Sequence, residues 1–130
     1  MKNLKDLFPD IDTCKRFQEL GLFKGSIFVW SRVYGDVRPV IRKDLPRLEK
    51  DNWLYCCPTT DEILEVLPNM LKKKYELFVR KDSEGFDVGY EDSYSNEDEV
   101  TYDTEYFISN ISLPQALSKL FLKLKSENIV

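Results

Sequence analysis

The sequence predicts an α+β fold. About three helices and five to six strands run in the order α-β-β-(β)-α-β-β-β-α, as an antiparallel or mixed sheet with helices packed on one face. Three observations carry this reading. Two segments open with helix-capping patterns, Thr59 to Glu62 and Ser112 to Gln115, and apolar residues follow each at helical spacing. Other segments are rich in β-branched and aromatic residues and are bounded by turn residues. The chain has 130 residues, 42% hydrophobic and 13% aromatic, which suits a packed core, so 1–130 is read as a single domain.

The first helix is expected from about Ile11 to Leu20. Asp10 or Asp12 can cap it, because a short carboxylate accepts the exposed backbone N–H groups. Cys14, Phe17 and Leu20, with Leu22 or Phe23, form its apolar stripe. Gly21 is a natural stop, since it tolerates the left-handed conformation. A strand from Ser26 to Val33 follows, then a turn at Tyr34, Gly35 and Asp36. Val37 to Lys43 returns as a second strand, and Pro39 places it at an edge. Asp44 to Asn52 is charged and contains Pro46, which reads as a loop. Trp53 to Cys57 is a short strand.

Thr59 and Glu62 then cap the clearest helix, with Ile63, Leu64, Val66, Leu67 and Leu71 on its buried side. Pro68 ends or kinks it, because proline lacks the N–H that the helix needs. Lys72, Lys73 and Lys74 lead into a strand from Tyr75 to Lys81. The turn Asp82 to Gly85 and the strand Phe86 to Glu91 complete a hairpin. Asp92 to Glu99 reads as an acidic loop and Val100 to Ser109 as a longer strand. In the last helix Pro114 fits the first turn, and Leu113, Ala116, Leu117, Leu120, Phe121 and Leu124 recur at helical spacing. Ser126 to Val130 is expected to fray.

The segment order resembles small proteins of gut bacteria and their phages or prophages. The residues that carry the resemblance are the glycine-terminated helix Cys14 to Leu22, an aromatic hairpin, and the helix start Cys57-Pro58-Thr59-Thr60-Asp61-Glu62-Ile63-Leu64. A central meander, Phe86 to Tyr90, and the helix core Gln115-Ala116-Leu117 follow. Cys57 stands where alanine is usual. The resemblance implies a phage or mobile-element setting and brings no activity with it.

The chain contains no histidine, which removes imidazole general bases, Ser-His and Cys-His nucleophiles and most zinc sites. Cys14, Cys56 and Cys57 are an odd number of cysteines and read as small core residues. Cys56 and Cys57 would face opposite sides of a strand and are poorly placed to share a metal. No Gly-rich phosphate loop is present. The candidate carboxylates are Asp61, Glu62, Glu65 and the acidic loop, and capping of a first helical turn explains Asp61 and Glu62. No catalytic, cofactor-binding or metal residue is assigned, and the chain is read as a non-enzyme. It has no run of eighteen apolar residues, and Met1 to Asp10 holds no signal-peptide core, so a cytoplasmic protein without a membrane partner is expected.

Charge is the uneven feature. Residues 82–105 hold ten acidic and no basic residues, within a chain of net charge −4. This segment interleaves acids with tyrosines, and Tyr90, Glu91, Asp92, Tyr94, Glu97, Asp98, Glu99 and Tyr102 form the candidate interaction patch. Tyrosine supplies amphipathic contact area at interfaces. A solvated hairpin would look the same. The Asp-x-Asp-x-Asp-Gly pattern of a calcium loop is missing. Direct nucleic-acid binding has weak support. Arg38, Arg42, Lys43 and Arg47 are one small basic cluster, and Trp30, Tyr34, Trp53 and Tyr55 fit core positions as well as stacking platforms. The expected function is therefore a non-enzymatic protein-interaction module with an unidentified protein partner. The alternative is a nucleic-acid-related role, as an acidic mimic or a weak binder. A homodimer through an edge strand is a further expectation.

Overall fold

A computed structural model describes residues 7–33, 35–42, 53–95 and 100–130, with side chains described at all of these except 33, 53, 93–95 and 100–102. The class is α+β, with antiparallel pairing throughout. The described strands form two sheets instead of one, and the chain divides into two compact units, Met1–Ile63 and Leu64–Val130.

The first unit begins with α1, Ile11–Glu19. Asp10 is its cap, its carboxylate accepting from the Thr13 N–H at 2.8 Å. Gly21 has φ 72°, and the Gly21 and Leu22 N–H groups donate to the Gln18 and Phe17 carbonyls. That pair of bonds stops the helix where the glycine predicted. Three strands follow: β1 (Phe28–Val33), β2 (Asp36–Ile41) and β3 (Trp53–Cys57), in the spatial order β2-β1-β3. Pro39 lies on edge strand β2, as its missing N–H requires. Phe8, Cys14, Trp30 and Cys57 form a buried cluster against which Phe28, Leu54 and Tyr55 pack. The loop expected over Asp44 to Asn52 falls outside the described residues, as does Tyr34.

The chain passes between units through α2, Thr60–Val66. Its capping box is complete: the Thr59 N–H donates to Glu62 Oε1 at 3.0 Å, and the Glu62 N–H donates to Thr59 Oγ1 at 3.2 Å. The helix ends two residues before Pro68, so Leu71 is not on it. Leu71 lies in the short strand β4, Met70–Leu71.

The second unit is a meander, β4-β5-β6-β7, with β5 at Tyr75–Lys81, β6 at Phe86–Ser95 and β7 at Val100–Asn110. Asp92 to Ser95 pair with Val100 to Asp103, so this stretch is strand and the acidic loop is shorter than expected. Ladder pairing overrides the poor strand propensity of Asp and Ser here. Helix α3, Leu113–Ser126, packs on β6 and β7 through Ala116, Leu117, Leu120 and Leu124. Ser112 caps it, accepting from the Gln115 N–H at 3.4 Å, while the Ser112 N–H donates to Asn110 Oδ1 at 3.0 Å. The expected fraying is replaced by a defined stop. Asn128, at φ 59°, and Ile129 donate back to the Lys125 and Leu124 carbonyls.

Candidate interaction surface

Strand alternation gives the four-stranded sheet two unlike faces. Val88 and Tyr90 point to the buried face, where α3 packs. Glu76, Phe78 and Arg80 of β5 point to the other face, paired across from Glu91, Gly89 and Asp87 of β6. On β7 the register shifts opposite Gly89, between the pairs Val88–Ile108 and Tyr90–Glu105. The extra residue turns Ile108 inward and Phe107 outward. Tyr106, in the bulge, takes a left-handed φ of 57°.

Gly89 is what lets the bulge approach. A Cβ there would lie 2.9 Å from the Tyr106 carbonyl oxygen and 3.2 Å from Phe78 Cε1. Phe78 covers this glycine, and its ring centroid is 6.4 Å from that of Phe107. Phe107 is 55% exposed. The Arg80 guanidinium sits 4.5 Å above the Phe78 ring and pairs with Glu91. The outcome is an aromatic pair on a solvent-facing sheet surface, edged by Glu76, Asp87 and Glu91.

The sequence-proposed patch is divided by the fold. Tyr90 is fully buried and belongs to the core, not to a surface. Its hydroxyl donates to the Pro68 carbonyl at 2.7 Å, and burial pushes its phenol up to about 12. Glu91 lies on the outer face and Asp92 on the other. The side chains of Tyr94 and Tyr102, and Glu97, Asp98 and Glu99 entirely, lie outside the described residues. Phe78 and Phe107 were not foreseen. Alternation along Tyr75 to Lys81 does place Phe78 on the charged face, but Phe107 needs the bulge, which no glycine in β7 announces.

The register sets like charges directly opposite one another twice, Glu76 across from Glu91 and Asp92 across from Asp103. Such pairs destabilise a sheet. Arg80 offsets the first. The Tyr75 hydroxyl donates to Asp103 Oδ2 at 2.8 Å beside the second, and this bond raises the pKa of Tyr75. Lys72 Nζ lies 3.0 Å from Glu105 Oε1, which holds Lys72 protonated to higher pH. Glu91 Oε2 and Glu105 Oε2 are nevertheless buried without a hydrogen bond among the described residues.

The remaining candidates resolve into structure. Arg42, from the basic segment, donates through Nε to the Ser26 carbonyl at 2.8 Å and through Nη2 to Ser26 Oγ at 3.4 Å. Cys14, Cys56 and Cys57 are buried free thiols. Burial pushes Cys56 up to about 12, and a hydrogen bond with Cys14, reinforced by burial, raises Cys57. Such thiols are poor nucleophiles. Asp61 and Glu65 lie exposed on α2. An open cleft of about 240 Å³ beside the β5–β6 turn is lined by Asp82, Asp87, Ser109 and Asn110. Asp82 accepts from the Glu84 and Gly85 N–H groups, and Asp87 accepts from Ser109, so both carboxylates serve the turn and ladder. Among the described residues no three acidic or cysteine side chains converge as a metal site, and no helix is long and apolar enough to cross a membrane. Comparison with family models, curated proteins and solved structures finds no match for this chain.

Proposed function

We propose that this chain is a non-enzymatic interaction module of the cytoplasm that binds another protein through the outer face of its four-stranded sheet. The observation that carries the reading is the exposed Phe107 ring beside the half-buried ring of Phe78. Solvent-facing aromatics edged by charged groups match the apolar centre and polar rim of protein interfaces. The phage or mobile-element setting implied by the segment order belongs to the same proposal. A nucleic-acid-binding role has less support, because Arg42 is committed to Ser26 and the sheet carries excess negative charge.

Affinity capture by the full chain from host lysate, with and without nuclease, tests the reading. A protein retained after nuclease treatment supports it. Retention of nucleic acid alone, falling steeply with salt, rejects it.

A further inference from the structure

We infer that the partner presents a lysine- and arginine-rich segment whose apolar side seats on Phe78 and Phe107. This rests on the reading above and names the partner's chemistry. Charge complementarity selects it. The face offers Glu76, Asp87 and Glu91 around the aromatic pair, and its cation, Arg80, is already paired with Glu91. Neither β6 nor β7 contributes a basic residue, and β6 brings Asp87 and Glu91 to this face.

The same charge disfavours other occupants. Nucleic-acid phosphates and anionic lipid headgroups are repelled. A second copy laid face to face would set these carboxylates against one another. A basic segment would instead pair with the exposed Glu76, which stands opposite Glu91.

The test uses the intact chain and two fluorescent amphipathic helical peptides, one of Leu and Lys and one of Leu and Glu, read by anisotropy at low and high salt. The Leu/Lys peptide is expected to bind, more weakly at high salt, and the Leu/Glu peptide to fail. Phe107→Ser keeps the charge and alters an exposed side chain, so its thermal melt should match wild type. It should weaken Leu/Lys binding by about tenfold, as losing an aromatic anchor does. Equal affinity of Phe107→Ser and wild type for that peptide overturns the inference, because adhesion would then be charge alone. Tighter binding of the Leu/Glu peptide overturns it too. The broader reading is judged separately. If lysate capture yields a nuclease-resistant partner that Phe107→Ser retains in full, only this inference falls. If capture yields no protein, the interaction-module reading falls.

Discussion

Tyr90 heads the fully buried side chains of the described core, and its hydroxyl spans from β6 to the Pro68 carbonyl at 2.7 Å. Tyr90→Phe keeps the ring and leaves that carbonyl without its donor. Stability should fall by about 1–2 kcal/mol in urea denaturation, the usual range for a lost buried hydrogen bond. The same residue sets an alkaline limit. Tyr90 moves from 10.0 to about 12 on folding, and Cys56 from 9.0 to about 12. Both folded values are raised, so the unfolded chain loses these protons first. Their stabilising contribution is complete below about pH 9 and declines as pH rises toward 12. Melting temperature measured against pH should show this decline, and Tyr90→Phe should flatten its portion above pH 10. A Tyr90→Phe profile that superimposes on wild type there would reject the assignment. Tyr90 also marks a limit of sequence reading. Tyrosine is at home at interfaces and in cores, and only the β6 register decides between them.

Helix ends were the most legible elements, because a cap is a local device. Thr59 and Glu62 exchange the two hydrogen bonds that their spacing implies, and Gly21 takes the left-handed conformation that ends α1. Thr59→Ala should cost about 1 kcal/mol, measured by chemical denaturation. No change would mean that tertiary packing alone holds α2. Strand ends were less legible. β6 runs on through Asp92 to Ser95, since its partner β7 supplies the hydrogen bonds whatever the propensities. Leu71 fits the helical spacing of α2 but lies beyond Pro68, in β4. The turn after β4 places Lys72 and Lys73 at φ 52° and 62°, where glycine or asparagine would be the usual residue. Nothing in three consecutive lysines announces that turn.

Across the molecule, charge and strand edges are managed differently. On β2 Pro39 removes a donor, and on β3 the Cys56 N–H is taken by Gln18 Oε1 at 3.3 Å. β4 is two residues long, and β7 bends at its bulge and carries Asp103 and Glu105. All four features disfavour strand pairing with a second copy, the route by which a homodimer was expected. Charge, in contrast, is left opposed. Asp92→Asn should stabilise the fold by about 0.2–1 kcal/mol at low salt, with a smaller gain at high salt, because it removes one carboxylate facing Asp103. Denaturation curves at two salt concentrations measure this. A loss of stability would mean that Asp92 holds an interaction worth more than the repulsion.

By itself the sequence determined the α+β class, the three helices with two of their caps, the edge position of Pro39 and the acidity of residues 82–105. These follow from interactions among near neighbours or from composition. Tertiary structure decided the division into two sheets, the burial of Tyr90 and the exposure of Phe107. Each depends on ladder register between segments distant in sequence. One extra residue opposite Gly89 exchanges the faces of Phe107 and Ile108, so the same letters give a core or a surface according to a pairing that no single strand encodes.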